Sequence, residues 1–549
     1  MDRINALTSK DQLPEVIARL HKMGVPVVFS VAANQDMKDA TQVIGDFDQG
    51  GIGLPERDYY FRDDAKSTEL RNAYVAHIQK MFELMGHPAS TAAAEAKEVM
   101  DFETALAKAS LDVVARRDPN KLYHKMTPEE LQKLTPAFAW NRYFTTVDAP
   151  KLTAMNVDVP EFFTGMESLV QSTPLDTWKT YLSWQLVHAT APLLPDNFVQ
   201  ENFAFYGKTL TGAKELRPRW KRCVAFTDGD LGEALGQAFV QKAFAGDSKE
   251  NTLKMVHGIE KAMSADIDQI SWMAPETKKA AHEKLKMIAN KIGYPEKWRD
   301  YSKLQIVRGD ALGNSLRANE FEFNRQLNKI GKPVDKQEWG MTPPTVNAYY
   351  NPQMNDINFP AGILQPPFYL NGRDDAYNYG GIGAVIGHEL THGFDDEGRQ
   401  FDGAGNLRDW WTPADNKAFD ERGECIVNEY SNFVAVDDVK LNGKLTEGEN
   451  VADNGGLRLA LMAALANLTD KNKGKVDGYT PEQRVFLGFG QVWCSNETPE
   501  SKRMLAQTDP HSQPKFRVNG TVSNMPEFQK AWGCKTGAPM VRQNACRVW

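Results

Sequence analysis

Apolar residues recur at helical spacing through most of the first half of the chain. Tyr74, Ile78, Met81, Phe82 and Met85 fall on one helix face, and the pattern stops at Gly86, a residue suited to a C-cap. Thr127-Pro128-Glu129-Glu130 reads as a helix start, with a hydroxyl at the N-cap, proline at N1 and glutamate at N3. Residues 249–290, rich in Ala, Lys, Glu and Met, predict two long helices broken near Ala274-Pro275. From about residue 305 the texture changes. The segment 341–369 is proline-rich with aromatic and β-branched residues between, which predicts extended strand and loop, with Thr345–Tyr350 as an edge strand. Further helices are predicted from near Gly380 and from Thr480, where Thr480-Pro481-Glu482-Gln483 forms a capping box. The expected fold class is mainly α with a small mixed α/β part. The chain divides on this reading into a helical domain over 1–295 and a mixed domain over 296–549.

Composition narrows the picture only a little. Of 549 residues, 41% are hydrophobic and 25% charged, an ordinary globular balance, and the net charge of -8 argues against nucleic acid as a partner. The longest apolar stretch, about Val25 to Ala33, is far short of the ~20 residues of a membrane span. Met1-Asp2-Arg3-Ile4-Asn5 does not read as a secretory leader, which taken alone points to the cytosol. The five cysteines, Cys223, Cys425, Cys494, Cys534 and Cys546, contain no C-x-x-C pair, so a zinc knuckle or thioredoxin-type site is not expected.

Residues 388–392 read His-Glu-Leu-Thr-His. In a helix His388 and His392 project from one face and can grip one metal ion, with Glu389 placed to reach a water beside it, as in zinc peptidases. Zinc needs a third protein ligand and an open position for catalysis. Glu449-Asn450-Val451-Ala452-Asp453 is the best source: Glu449 and Asp453 share a helical face, so Glu449 can ligate while Asp453 accepts a hydrogen bond from a liganded histidine. Asp395 can do the same for the His392 ring. Asp509-Pro510-His511 with Arg517 offers donors for a developing oxyanion, and Asn347 with the Ala348 backbone can pair with an extended peptide. Taken singly, each of these is more often a surface residue than a functional one.

Together, and in this order, these strings resemble the neprilysin family of zinc endopeptidases. The resemblance is carried by Val346-Asn347-Ala348-Tyr349-Tyr350, by Val385 through Asp396 around the histidine motif, by Glu449 through Asp453, by Asp509-Pro510-His511-Ser512 with Arg517, and by the closing Cys546-Arg547-Val548-Trp549. Upstream, Gly53-Leu54-Pro55-Glu56-Arg57-Asp58-Tyr59-Tyr60 and Ala243-Phe244-Ala245-Gly246 extend it over nearly the whole chain. It implies a thermolysin-like catalytic domain capped by a large helical one, and a single Zn2+ held by His388, His392 and Glu449. It also implies Glu389 as general base, Asp453 behind the ligands, His511 on the transition state and Arg517 on a substrate carbonyl. An apolar pocket for the residue after the scissile bond is implied at Ile363, Phe368, Val385, Val492 and Trp493, residues that would otherwise be assigned to the core. The implied partners are oligopeptides, cleaved by a monomer.

One departure stands out. The family begins with an anchor or leader and a long segment that precedes the point where this sequence starts, so the chain is expected to be truncated and its parent extracytoplasmic. The resemblance pairs Cys425 with Cys546 and leaves Cys223, Cys494 and Cys534 to partners in the absent segment. The competing expectation is that all five are reduced in a cytosolic member. Two other functions compete with this one. A non-catalytic peptide-binding or chaperone-like protein would have lost Glu389 or a ligand, and none is lost. A metallo-aminopeptidase needs a site for the free amino terminus, for which the sequence offers no distinct candidate.

Overall fold

The computed structural model describes residues 1–244, 246–470 and 472–549. Ala245, within one of the strings quoted above, lies outside them. The protein is mainly helical with small sheets, and its contacts divide into two units. The first comprises Met1–Asp230, Asp300–Val334 and Thr498–Met504; the second comprises Leu231–Arg299, Asp335–Glu497 and Leu505–Trp549. A single boundary near 295 does not divide these contacts. The reason lies in the packing of the second unit: Val256, Ile259, Met263 and Ile267, from helix Ser248–Gln269, belong to one apolar core with Ile386, Leu390, Leu457 and Leu461.

The first unit contains a sheet that helical periodicity does not announce. Strands β1 (Phe29–Asp36) and β2 (Asp39–Gln49) form an antiparallel hairpin, β4 (Met155–Val157) runs parallel to β2, and β3 (Lys125–Met126) pairs antiparallel with β4. Phe29, Phe47, Phe138, Trp140, Tyr143 and Phe163 fill the core beside it. Helices Ala65–Leu84 and Ala89–Ala109 pack against each other in a second core with Trp184 and Phe205. Helix Ala65–Leu84 ends close to the expected Gly86, which takes φ 97°, a conformation that glycine alone adopts without strain. Between these helices the carboxylate of Glu103 is fully buried. One of its oxygens accepts from Trp184 Nε1 (3.1 Å) and Gln185 Nε2 (2.9 Å). The other accepts from the hydroxyls of Tyr60 (2.6 Å) and Tyr74 (2.8 Å) and from the Gly53 N–H (3.2 Å). The string Gly53 to Tyr60 therefore has a structural account, since it wraps this carboxylate.

In the second unit, β5 (Ala289–Gly293) runs parallel to β7 (Asp356–Pro360), and β6 (Tyr349–Asn351) pairs antiparallel on the other side of β7. The central strand is buried along its whole length. The expected edge strand over Thr345–Tyr350 is paired only from Tyr349, because Pro343 and Pro344 turn the chain just before it and Thr345 N–H closes that turn on the Thr342 carbonyl. The predicted helices over 249–290 appear as Ser248–Gln269 and Pro275–Met287. Cys425 and Cys546 are joined in a disulfide, and buried Trp549 donates from Nε1 to the Phe394 carbonyl at 3.2 Å. Among the described residues, no helix is long and apolar enough to cross a membrane.

Candidate zinc site and peptide cavity

Two helices of the second unit build the site. Ala384–His392 follows a wider π-helical turn at Tyr379–Gly383, and Glu447–Ala466 crosses it in backbone contact. The crossing needs glycine on both sides. A Cβ on Gly387 would lie 2.4 Å from the Gly456 carbonyl oxygen, and one on Gly456 would lie 2.4 Å from the His388 nitrogen. This close approach brings Glu449 and Asp453 alongside the two histidines.

The ring nitrogens have divided tasks. Nδ1 of His388 faces Asp453 Oδ1 at 2.8 Å, and Nδ1 of His392 faces Asp395 Oδ2 at 2.6 Å. A carboxylate on Nδ1 fixes the ring and leaves the Nε2 lone pair for a metal. The two Nε2 atoms lie 2.9 Å apart, an arrangement that two lone pairs hold only with a cation or proton between them. Glu449 Oε2 lies 3.2 Å from Nε2 of His388, yet this buried oxygen takes no hydrogen bond. One ligand atom each from His388, His392 and Glu449 falls within 4.8 Å of the others. Two imidazole nitrogens and one carboxylate are a catalytic zinc donor set, so these residues fit the ion.

Arg517, from helix Pro514–Ser523, makes a two-pronged contact with Asp453, Nε to Oδ2 and Nη2 to Oδ1, both 2.7 Å. Its guanidinium stacks 4.0 Å from the Trp493 ring centroid and comes within 3.5 Å of Glu449 Oε2. Burial raises the Asp453 carboxyl, but the charge of Arg517 and the bonds from His388 and Arg517 hold it below its ordinary range. Glu449 is likewise buried and is pulled well below its ordinary range, chiefly by His392 and His388. Glu389 behaves in the opposite way: burial pushes its carboxyl up, with Glu449 adding to the rise and the two histidines opposing it. His511 is half exposed, its Nδ1 2.8 Å from Asp509 and its Nε2 3.2 Å from Glu449 Oε2.

All of these groups except Asp509 line one cavity of about 590 Å³. The same cavity collects Ile363, Phe368, Val385, Val492 and Trp493 into an apolar lobe, and reaches Asn347 and Ala348 ahead of β6. Sequence reasoning missed Phe489, which lies one helical turn before Val492 and Trp493, and Tyr350, which lines the wall. It also missed Asn450, whose side-chain oxygen Oδ1 accepts from Ser512 Oγ at 2.7 Å and ties the His511 loop to the ligand helix. Phe489 was findable from its spacing. The Asn450–Ser512 pair joins residues 62 apart and leaves no local signal.

With this geometry in view, residues 1–295 match the N-terminal part and residues 347–548 the peptidase part of peptidase family M13. The chain belongs to this family. It is 39% identical to mouse endothelin-converting enzyme 1 over 539 residues, covering 95% of this chain and 69% of that enzyme. An endothelin-converting enzyme homolog of Locusta migratoria is 36% identical, over 97% of this chain and 76% of its own. The fold is similar to Mycobacterium tuberculosis zinc metalloprotease Zmp1 in complex with inhibitor, with TM-score 0.96 and 39% identity over 100% of this chain and 84% of that one. PepO from Lactobacillus rhamnosis aligns with TM-score 0.89 and 28% identity over 99% and 85%. This M13 chain is a zinc metalloendopeptidase.

Proposed function

We propose that this M13 peptidase binds one zinc ion through His388, His392 and Glu449 and cleaves oligopeptides on the amino side of hydrophobic residues. The observation that carries the reading is the placement of Glu389: a buried carboxylate with a raised proton affinity, on the same cavity wall as the ligand set and the apolar lobe. Zinc bound there supplies Lewis acidity for water and for the substrate carbonyl. Glu389 takes the proton of the attacking water and passes it to the departing amine nitrogen as the C–N bond breaks, a task favoured by a carboxyl whose proton affinity lies above the ordinary range. His511, steadied by Asp509, donates to the oxyanion, and Arg517 holds a backbone carbonyl of the substrate beyond the scissile bond. Asn347 and the Ala348 backbone pair with the extended peptide, and Ile363, Phe368, Val385, Val492 and Trp493 receive the apolar side chain. The Cys425–Cys546 disulfide supports an extracytoplasmic setting, and the enzyme acts as a monomer.

The test is hydrolysis of an internally quenched peptide, blocked at both ends, with a central Phe or Leu. Cleavage before that residue, abolished by a chelator, is expected. Glu389→Gln is expected to lower kcat by about 10²–10⁴-fold with zinc content and melting temperature unchanged. Retained turnover in that variant, or a need for a free substrate amino terminus, would overturn the proposal.

A further inference from the structure

Lys284 is a buried cation that the mechanism above does not use. It lies on helix Pro275–Met287 and is 1% exposed. Its ammonium donates to the carbonyls of Gly398 and Phe401, each at 2.7 Å. The rings of Phe394, Tyr350 and Trp410 surround it at 5.4, 5.7 and 5.9 Å from their centroids. Burial pushes this amine down to about 7, while Asp395 and Asp402 pull it up. Taking an ammonium out of water is costly, and an apolar side chain of similar volume often serves stability as well or better. A lysine here therefore asks for a reason beyond packing.

The reason lies in what its two acceptors belong to. Gly398 and Phe401 are in the loop that follows the metal helix. From the other side Asp395 holds the same loop: Oδ1 accepts the N–H groups of Glu397 (2.9 Å) and Gly398 (2.7 Å) while Oδ2 orients His392. Gly398 is thus gripped twice, its N–H by the carboxylate behind His392 and its carbonyl by the ammonium of Lys284. The loop is also folded tightly onto the helix end, since a Cβ on Gly398 would lie 1.8 Å from the His392 carbonyl oxygen. Trp410 adds a second fastening, donating from Nε1 to the Phe401 carbonyl at 3.0 Å. Lys284 itself is steadied by Asn355, whose amide donates to the Lys284 and Gly403 carbonyls.

We propose that Lys284 is a positioning residue for zinc, fixing the 395–401 loop so that Asp395 keeps the His392 imidazole aimed at the ion. This rests on the ligand set proposed above. The experiment measures zinc affinity of the full chain by chelator competition, the visible spectrum of the Co2+-substituted protein, and kcat and KM separately. Lys284→Met, which keeps the length and removes the donors, is expected to weaken zinc binding about 10–100-fold per folded molecule. It is also expected to alter the Co2+ spectrum, and to lower kcat with KM nearly unchanged. Trp410→Phe is expected to move zinc affinity the same way by a smaller factor. Leu285→Ala, a core truncation one residue along, is expected to lower stability without changing zinc affinity. Wild-type zinc affinity and an unchanged Co2+ spectrum in Lys284→Met would overturn the proposal while leaving the ligand set standing. If that variant does not fold, unchanged affinity in Trp410→Phe overturns it. A wild-type chain that takes up no zinc would sink both readings.

Discussion

Two buried carboxylate networks lie in different units of this molecule, and they solve the same problem in opposite ways. Glu103 in the first unit accepts five hydrogen bonds from Tyr60, Tyr74, Trp184, Gln185 and Gly53, and both of its oxygens are occupied. Glu449 in the second unit is less deeply set and lies among charged groups, yet its buried Oε2 takes no hydrogen bond, and the histidine nitrogens beside it face each other. A closed network holds a fold together; one that stops short of satisfying its own members is shaped for something that is not protein. The polar groups behind the open network are themselves closed, with Asp453 and Asp395 fully engaged, so the unmet demand is confined to the atoms facing the cavity.

The largest test exchanges the two failures. Glu103→Ala leaves its donors without an acceptor and is expected to lower the unfolding free energy by about 4 kcal/mol or more, with zinc affinity per folded molecule unchanged. Glu449→Ala is expected to weaken zinc binding by about 10³-fold while the zinc-free protein unfolds within about 1 kcal/mol of wild type. Denaturant titration and chelator competition on both variants read the two axes, and a large stability loss in Glu449→Ala would erase the distinction.

A smaller effect concerns pH. Burial raises the Glu103 carboxyl from 4.5 to about 7, with its hydrogen-bond donors pulling the other way. The folded state then binds this proton more tightly than the unfolded state, so stability falls as pH rises from about 4.5 to about 7 and levels off above it, by up to ~3 kcal/mol. Glu103→Gln is expected to flatten that slope in urea titrations of the zinc-free protein between pH 4.5 and 8. The smallest effect sharpens the comparison from the metal side. Asp395→Asn is expected to weaken zinc binding by about tenfold, since the single amide oxygen can accept from the loop N–H groups or from His392 Nδ1 but not from both sides as the carboxylate does.

How much of this was readable in advance depends on whether the chemistry is local. Two histidines on one helical turn must stand four residues apart, so His388 and His392 declare themselves, and Glu449 and Asp453 follow the same rule on the next helix. Helix starts at Thr127 and Thr480 were legible because a capping box is written within four residues. The hairpin from Phe29 to Gln49 was not, because its strands sit among helices whose apolar spacing dominates the first half. Lys284 was invisible for a different reason: its acceptors lie 114 and 117 residues away, and in a lysine-rich helix it reads as one more solvated charge. The division by contacts does not follow a single cut in sequence, because helix Ser248–Gln269 packs into the core of the second unit, and composition does not change where that packing does.

That division carries a consequence for how the protein is made and dismantled. The chain passes between the two units five times. A protease that nicks one connecting segment leaves the units tethered through the others, so cutting and coming apart are separate events. Synthesis is also staggered, because most of the first unit lies in residues 1–230 and leaves the ribosome earlier, whereas the second needs residues 505–549 before its core is complete. The histidine pair is translated well before Arg517 exists to brace Asp453 behind it, so a nascent chain carries the metal-binding string for some time without the machinery to use it.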